Sequence, residues 1–348
     1  MARRNPYYRG PVSDHFDGVR FLSHPEPARR GIGAGLRFVR GQVARRWRGA
    51  PEVVPDRPPP RVEGLRIGPI GHSSLLLQVG GANLLIDPVL AEWLGPRDRM
   101  GPRRAHPVGI RWEDLPPVDA VLLTHNHWDH MDGPGVARLW RRFGCRVLAP
   151  LGNDAVLRRY DPAMPVEALD WWDGRAVTER IGVHLLPAYH WSGRHLLDRR
   201  MALWGSWAVT DARGGVLIHV GDTAYIGGAI FREMRERFGP ADVALVPIGA
   251  YEPQSFVGTQ HVHPEDSVRI MRDLGARRAF GHHWGCFQLT WEGWDDPPRA
   301  LEAALRAQGV DAERFRPLWP GRAVEAGWPG AGEPQGARAG GAAPAPPG

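Results

Sequence analysis

Apolar and polar residues begin to alternate at residue 65, and from there the chain predicts short strands separated by turns. The first three predicted strands cover 65–70, 73–79 and 83–86, and Gly80-Gly81 between the last two is typical of a β-hairpin turn. Further apolar runs predict strands over 118–123, 146–149, 176–188, 201–210, 216–220, 243–247 and 278–280.

Four stretches carry apolar residues at helical rather than strand spacing. They predict helices over 134–143, 226–238, 264–274 and 297–308. Helices that alternate with hairpins and buried strands indicate a layered α/β protein with mixed sheets.

The pattern divides the chain into three parts. Residues 1–60 are predicted to form an N-terminal extension, in which 29–49 is a basic amphipathic helix and 55–60 a stiff proline-rich linker. Residues 61–322 are predicted to form the main folded domain. Residues 323–348 are rich in Gly, Ala and Pro, so a disordered tail is predicted there.

Composition narrows the class of protein. Of the 348 residues, 43% are hydrophobic and 24% charged, which is enough apolar material for a large core and excludes global disorder. No apolar run is long enough to span a bilayer, and the first ten residues contain no apolar segment typical of a secretory signal. Two cysteines are too few for a disulfide scaffold, so a cytoplasmic location is expected.

The formal net charge is +6, and every basic residue is an arginine, which indicates coding bias or a surface for phosphates or anionic lipids. The arginines of segment 29–49 suit contact with the inner surface of an anionic membrane, and an ordinary helix packed on the domain fits the same pattern. The arginines are dispersed and form no separate basic arm, so nucleic acid is not an expected partner.

The strongest chemical signal is the segment Thr124-His125-Asn126-His127-Trp128-Asp129-His130, which directly follows an apolar strand. Imidazole nitrogens and carboxylate oxygens are the ligands that zinc takes in catalytic sites. Alternation along the chain directs His125 and His127 to the same side, while Asp129 and His130 can turn towards a second ion.

One loop cannot fill two metal sites, so further ligands must come from other strand ends. His190, Asp222 and His283 each lie just past a predicted strand, where a buried strand opens towards one edge of the sheet. Together with the first segment they supply two sets of three ligands and one bridging carboxylate.

These residues give the sequence a resemblance to the metallo-β-lactamase superfamily, and within it to the N-acylphosphatidylethanolamine-hydrolysing phospholipase D group. The resemblance extends from about residue 8 to 322. Besides the metal segment it is carried by Asp87-Pro88, Met100-Gly101-Pro102-Arg103, Leu169-Asp170-Trp171-Trp172, Trp204-Gly205-Ser206-Trp207, Gly221-Asp222-Thr223, Gly249-Ala250-Tyr251-Glu252-Pro253, Gln260-His261-Val262 and His283-Trp284-Gly285.

The resemblance implies an αββα four-layer sandwich with a dinuclear zinc site. It assigns one ion to His125, His127 and His190. It assigns the other ion to Asp129, His130 and His283, with Asp222 bridging the two. Iron or manganese also fits the same set of histidines and aspartates.

Other residues receive expected roles around these ions. Asp87 is expected to orient a ligand histidine through its other ring nitrogen, although a turn residue before Pro88 is the alternative. His261 resembles a pocket histidine that positions substrate or donates a proton, so Asp222, Asp129 and His261 are the residues expected to take part in catalysis. The residues expected to line a substrate pocket are Trp128, Trp191, Tyr251 and Trp284.

The predicted function is hydrolysis of a phosphodiester, because two zinc ions make hydroxide available at neutral pH and offset charge on phosphate. The resemblance implies N-acylphosphatidylethanolamine as substrate, with N-acylethanolamine and phosphatidic acid as products, and it favours a homodimer. A soluble lactonase or phosphoesterase of the same superfamily, a nuclease, and a non-catalytic scaffold or binding protein that retains only the fold are the alternatives.

Overall fold

The computed structural model describes residues 4–23, 31–96, 100–195 and 197–329. Strands form where short apolar runs are bounded by glycine, proline or polar turn residues. The described strands are β1 Leu65–Gly71, β2 Ser74–Val79, β3 Ala82–Ile86, β4 Ala120–Leu122, β5 Arg146–Pro150, β6 Val166–Leu169, β7 Gly174–Ala176, β8 Ile181–Leu186, β9 Ser206–Asp211, β10 Val216–His219, β11 Val243–Pro247, β12 Arg278–His282, β13 Phe315–Pro317 and β14 Val324–Ala326.

The helices have recognisable start and stop residues. Proline lies in the first turn of three of them, where its missing N–H group is not needed. One of these three starts at Gly133 and is also capped by Asp132, which accepts from the Gly135 N–H. The described α-helices are α1 Ile32–Ala44, α2 Gly133–Phe143, α3 Asn153–Leu157, α4 Ala229–Phe238, α5 Gln254–Val257, α6 Pro264–Asp273 and α7 Asp296–Ala307.

The strands form two seven-stranded mixed sheets with the same internal pattern. The first has the order β14-β1-β2-β3-β4-β5-β6 and the second β13-β12-β11-β10-β9-β8-β7. In the first, pairs from β14 to β3 are antiparallel and pairs from β3 to β6 are parallel. In the second, pairs from β7 to β10 are antiparallel and pairs from β10 to β13 are parallel.

Three apolar clusters define the layers. One cluster lies between the facing sheets and includes Leu77, Leu122, Trp207 and Leu245. A second packs α2 and α3 onto the outer face of the first sheet, and a third packs α4, α6 and α7 onto the second. The predicted αββα four-layer sandwich is therefore confirmed.

The N-terminal segment contributes to this core. Phe16 and Phe21 are buried in the cluster between the sheets. The Asn5 amide donates to the backbone oxygens of Val19 and Met201 at 2.8 and 2.9 Å. The division at residue 60 stays a prediction, and residues 16 and 21 within the predicted extension contribute their side chains to the core.

The predicted basic helix is observed as α1, which is shorter than the predicted 29–49. Residues 29 and 30 lie outside the described part of the chain. None of the helices in the described segments is long and apolar enough to cross a membrane.

The predicted tail at 323–348 begins too early. Strand β14 pairs antiparallel with β1, and Trp328 is buried against the sheets. Strand β14 has three residues with a glutamate at its centre, so it shows no apolar alternation. It is recognised only by its pairing with β1. Residues 330–348 lie outside the described part of the chain.

The strand predicted over 201–210 begins later, at Ser206. Residues 201–205 form an irregular segment in which Trp204 donates its indole N–H to the Ala188 oxygen at 2.8 Å. Apolar residues alone predict burial there, and the segment is buried without being a strand.

Candidate metal centre

The predicted ligands come together at one edge of the two facing sheets. His125 follows β4 of the first sheet, whereas His190, Asp222 and His283 follow β8, β10 and β12 of the second. Gly221 allows this close approach, because a Cβ atom there would lie 2.7 Å from the Gly205 oxygen. The loops from both sheets therefore meet in one buried cluster.

The first ligand set is formed by three histidines that face one another. His125 Nε2 and His190 Nε2 lie 2.8 and 3.2 Å from His127 Nδ1. Asp222 Oδ2 lies 3.7 Å from His190 Nε2 and 4.0 Å from His125 Nε2. These four ligand atoms all lie within 4.8 Å of one another, which is close enough for them to bind one cation.

The second set lies on the other side of Asp222. Asp129 Oδ2 is 3.4 Å from His130 Nε2 and 3.5 Å from His283 Nε2. Asp222 Oδ2 lies 3.2 Å from His130 Nε2, and its Oδ1 lies 3.1 Å from His283 Nε2. Asp222 thus faces both sets, and its carboxylate occupies a bridging position.

The donor atoms of the cluster fit divalent metal ions. His130 Nε2, His283 Nε2 and Asp222 Oδ1 are buried, and none of them has a hydrogen-bond partner among the described residues. Buried polar atoms without partners are rare and call for a bound group. Nitrogen and carboxylate donors in sets of three or four suit zinc, and they also accept iron or manganese.

The side chains behind the ligands orient them. Asp87, fully buried at the end of β3, accepts from His130 Nδ1 at 2.7 Å and from the Thr124 hydroxyl at 2.6 Å. The Gln260 oxygen lies 3.0 Å from His190 Nδ1. Each contact directs the ring's Nε2 into the cluster, which is the arrangement usual around metal-binding histidines.

Charge balance in the cluster favours the ionised carboxylates. Burial opposes ionisation of Asp129 and Asp222, but His130 and His283 outweigh it and hold the pKa of both carboxyls well below its usual range. Burial likewise opposes protonation of His283, yet Asp222 and Asp129 raise its pKa to about 9. The protein therefore gathers positive charge around two buried carboxylates, and a divalent ion can supply that charge when bound.

The three histidines of the first ligand set are neutral. Burial lowers the pKa of His125 and His190 well below the usual range, and it lowers that of His127 to about 4. A neutral imidazole is the form that binds a metal ion.

His261 lies at the open side of the cluster. Its Nδ1 is 3.7 Å from Asp222 Oδ2, and its ring centre is 5.2 Å from that of His190 and 5.5 Å from that of His283. The side chain is 15% exposed, more than the buried ligands around it. His261 can therefore reach a molecule bound at the cluster from the solvent side.

His72 belongs to the cluster, and the sequence reasoning missed it. Its Nε2 lies 3.0 Å from Asp129 Oδ2, and its ring centre lies 4.0 Å from that of His283. A lone histidine after a glycine carries no motif. The signal that could have found it is its position directly after β1, the same rule that selected His190 and His283.

The four predicted pocket residues separate into two groups. Trp128 and Trp191 flank the metal loop: Arg194 stacks 3.6 Å from the Trp128 ring, and the Trp191 ring lies 4.3 Å from His127. Tyr251 and Trp284 are instead buried by packing. The Tyr251 ring contacts His263 at 4.8 Å.

Trp284 packs into the apolar layer beneath the helices, against Trp319 at 4.7 Å. A cavity of about 230 Å³ opens beside Trp128, and its wall also includes Trp93, Met131, Tyr160 and Arg194. Trp191, Tyr251 and Trp284 do not line this cavity, whereas Trp284 lines a second, smaller one together with His72 and His283. The substrate pocket formed by the four aromatic residues therefore stays a prediction.

Known proteins resemble this chain over most of its length. A family model described as "Beta-lactamase superfamily domain" matches residues 82–284. A Mycobacterium tuberculosis protein, named only as uncharacterised, is 36% identical over 250 residues, which are 71% of this chain and 65% of that protein. The chain thus spans less than two thirds of the length of this relative.

Two further relatives have informative names. "N-acyl-phosphatidylethanolamine-hydrolyzing phospholipase D 1" of Caenorhabditis elegans is 30% identical over 248 residues, which are 69% of each chain. A "UPF0173 metal-dependent hydrolase" of Opitutus terrae is 31% identical over 267 residues, which are 75% of this chain and 100% of that protein. With the fold and the buried cluster, these matches lead to one conclusion: the chain belongs to the beta-lactamase superfamily.

Proposed function

We propose that this protein is a dinuclear zinc phosphodiesterase that cleaves N-acylphosphatidylethanolamine in the manner of a phospholipase D, yielding N-acylethanolamine and phosphatidic acid. The observation that carries the proposal is the position of Asp222, which lies 3.7 Å from His190 Nε2 in the first ligand set and 3.1–3.2 Å from His283 and His130 Nε2 in the second, in a chain 30% identical to a relative named for this reaction. Fold alone would not select a substrate, since one fold hosts many chemistries.

In this proposal His125, His127 and His190 hold one zinc ion, Asp129, His130 and His283 hold the other, and Asp222 is shared. Bound zinc ions would lower the pKa of a water molecule and offset the negative charge of the phosphate in the transition state. Asp87 keeps the His130 ring in the orientation that presents Nε2 to the cluster.

His261 is the proposed proton donor to the leaving alkoxide. Its Nδ1 is buried and has no partner in the described part of the chain, and it lies on the open side of the cluster. Burial lowers the pKa of this imidazole to about 4, so the ring takes up the proton it donates once the negative charge of a bound phosphodiester favours the protonated form. Positioning the headgroup is the second contribution expected from the same imidazole.

The cavity beside Trp128 is the proposed binding place for an acyl chain. Its walls combine aromatic and aliphatic side chains with one buried arginine, Arg194. The guanidinium is already engaged, because it donates to the Met131 oxygen at 2.8 Å and to the Tyr160 hydroxyl at 2.9 Å. Such walls suit an apolar tail with a polar group near the metal loop.

Helix α1 is the proposed contact with an anionic membrane surface on the cytoplasmic side. One face is attached to the protein: Phe38 stacks on Phe256 at 4.4 Å, and Gln42 donates to the Gln288 oxygen at 2.8 Å. Leu36 and Val43 on the helix are 68% and 73% exposed. Exposed arginines 37, 40, 45, 46 and 48 accompany them, so apolar insertion and attraction to anionic lipid act together.

The membrane proposal is tested by replacing both exposed apolar residues, Leu36→Ser with Val43→Ser. The matched control replaces Val12 and Val54, which are equally exposed elsewhere, with serine. Sedimentation with phosphatidylglycerol vesicles should weaken only in the α1 variant, while cleavage of a soluble phosphodiester stays unchanged in both. Equal vesicle binding by the two variants would contradict the membrane proposal. The homodimer stays a prediction, to be checked by light scattering.

The substrate is tested by mass spectrometry of products. Zinc-loaded protein is offered N-acylphosphatidylethanolamine in mixed micelles, with a chelated sample as control. Release of N-acylethanolamine and phosphatidic acid that the chelator abolishes is the expected result. Protein that holds two metals and cleaves a soluble diester, yet releases neither product, would retain the metal chemistry and refute the lipid substrate. Protein that binds no metal would favour a non-catalytic scaffold.

A further inference from the structure

His72 occupies the tight turn between β1 and β2, where Gly71 pairs with Ser74. Its backbone has φ of 56°, in the left-handed region that few residues other than glycine adopt, although asparagine, aspartate and histidine occur there more often than the rest. The side chain is buried. Retaining a histidine in a conformation that favours glycine points to a function for its ring.

The ring faces the second ligand set. Nε2 lies 3.0 Å from Asp129 Oδ2, and the ring centre lies 4.0 Å from that of His283. The backbone also takes part, because the His283 N–H donates to the His72 oxygen at 3.1 Å. His72 therefore contacts two members of the set from one turn, at a distance from the motif that supplies Asp129.

The second ligand set has four members without His72. Besides Asp129, His130 and His283 it includes Asp222, whose oxygens lie 3.2 Å from His130 Nε2 and 3.1 Å from His283 Nε2. His72 Nε2 also lies within 4.8 Å of the ligand atoms of Asp129, His130 and His283, so it would be a fifth ligand. Because zinc in catalytic sites takes about three protein ligands and keeps a position for water or substrate, His72 Nε2 is left to donate to Asp129 Oδ2.

We infer that His72 is a positioning residue: its Nε2–H group holds Asp129 Oδ2 in place for the second metal ion, and His72 does not bind the ion itself. The inference rests on the two-metal site of the proposed function. The inference adds His72, which lies outside the metal segment and is not one of the three strand-end ligands. It predicts that His72 affects binding of the second ion and not of the first.

Three substitutions of His72 distinguish the contribution of its N–H donor from those of its ring volume and its left-handed backbone. His72→Phe keeps a ring of similar size but has no N–H group. His72→Asn tolerates the left-handed backbone, yet its shorter amide does not reach Asp129. His72→Gln keeps a donor on a longer side chain. The matched control is His184→Gln, a partly buried histidine on β8 that packs against Phe238 at 5.1 Å.

The first readout is the dissociation constant of each of the two zinc ions, measured by competition with a chromophoric chelator. The Phe and Asn variants should bind one ion about 10–100-fold more weakly, the range typical of a residue that orients a ligand. The other ion should bind as in the wild type, which also shows that the variant is folded. The Gln variant should recover part of the loss, and the His184 control should match the wild type.

The second readout is the visible spectrum of protein saturated with cobalt(II). A positioning residue leaves the ligand set unchanged, so the Phe variant should give the wild-type bands once both sites are filled. Altered bands at saturation would make His72 a ligand and overturn the inference. Unchanged zinc affinity in the Phe and Asn variants would overturn it as well. A wild type that binds a single ion would overturn both this inference and the two-metal proposal.

Discussion

At the scale of single residues, burial and charge assign different tasks to chemically similar groups. Asp129 and Asp222 are ionised among histidines at the cluster, whereas burial raises the pKa of Asp87 although His130 and Thr124 oppose this effect. Asp87 is engaged by three hydrogen bonds and points away from the open side. Two aspartates are therefore suited to bind metal, and the third is suited to orient His130.

His261 gives the sharpest test of a role at the cluster that is separate from metal binding. His261→Ala should lower turnover by about 100-fold or more, the range for loss of a general acid, with both metals retained. Metal content by elemental analysis and turnover of a phosphodiester check this together. Loss of a metal ion in the variant would instead identify His261 as a ligand.

A control for this variant is His263→Ala, since His263 is close in sequence but contacts Tyr251 rather than the cluster. It should retain turnover within a few fold. An equal fall in both variants would mean that the loop, and not the His261 imidazole, is what matters.

The sequence predicts residues well where a local rule applies to them. His125, His127 and His130 stand within one motif, and His283 directly follows an apolar strand, so motif and position identify them. His72 also lies just past the end of a strand, but a single histidine after β1 has no neighbouring ligand residue in the sequence that would distinguish it. Its contact with Asp129 depends on how the two loops fold towards each other, which the sequence does not contain locally.

At the scale of elements, predictions succeed for apolar stretches that pair with near neighbours. The hairpin β2–β3 and the helices α2, α6 and α7 match their predicted positions closely, because turn residues and periodicity are local signals. Strand β14 escapes prediction for the opposite reason. It is short, has a polar centre, and pairs with β1 from the far end of the chain.

Trp328 is the residue through which this terminal strand should stabilise the domain. It is 6% exposed, packs between the sheets, and donates to Asp211 Oδ2 at 2.7 Å. Trp328→Ala should lower the free energy of unfolding by about 3–5 kcal/mol, as for large aromatic residues in other cores. Urea unfolding measures the change.

Two truncations test whether β14 and Trp328 account for this change in stability. Removing residues 323–348 deletes β14 and Trp328 and should destabilise at least as much as Trp328→Ala. Removing only residues 330–348 leaves all described contacts of the strand in place. If both truncations destabilise equally, β14 and Trp328 do not carry the effect.

The N-terminal segment is attached through His15, whose imidazole contacts two carboxylates. His15 Nε2 lies 2.8 Å from Asp170 Oδ1, and Nδ1 lies 2.6 Å from Asp14 Oδ1. Burial lowers the pKa of His15, but Asp170 and Asp14 outweigh it and raise this pKa above 6.5. The folded state therefore binds a proton more tightly than the unfolded state.

The stabilisation from His15 should be fully present below pH 6.5 and disappear as pH rises through the raised pKa. Urea unfolding of the wild type and His15→Gln at pH 6 and pH 9 checks this. The stability difference between the two proteins should be larger at pH 6. A difference that is equal at both pH values would show that the imidazole is not protonated in the folded protein.

At the scale of the whole molecule, the cluster joins the two halves of the fold. The first sheet contributes the loop after β4, and the second contributes the ends of β8, β10 and β12. The repeated order of antiparallel and parallel pairs makes these loops meet at the edge between the sheets. The mixture of hairpins and helices in the sequence predicts the fold class. The strand order depends on pairing between distant segments, so local sequence patterns do not predict it.

Metal binding should therefore stabilise the entire domain rather than one loop. A ligand that binds only the folded state adds about 2.7 kcal/mol to the free energy of unfolding at 100 times its dissociation constant. Adding zinc to metal-free protein should raise the urea midpoint accordingly, and a chelator should reverse the increase. The unfolding signals of Trp140, which packs against the first sheet, and of Trp207, which lies in β9 of the second sheet, should move together, because ligands from both halves contribute to the cluster.

Asp222→Asn tests whether the shared carboxylate makes this link. Neutralising the one residue that faces both ligand sets should remove most of the zinc-dependent stabilisation and reduce turnover by more than about 100-fold, beyond the 10–100-fold typical of residues that only orient a ligand. The control Asp273→Asn changes a carboxylate that contacts Tyr225 and Arg232 away from the cluster. Zinc should stabilise the Asp273 variant as much as the wild type. If zinc also stabilises the Asp222 variant fully, the two halves are held by the separate ligand sets, and Asp222 is not the residue that couples them.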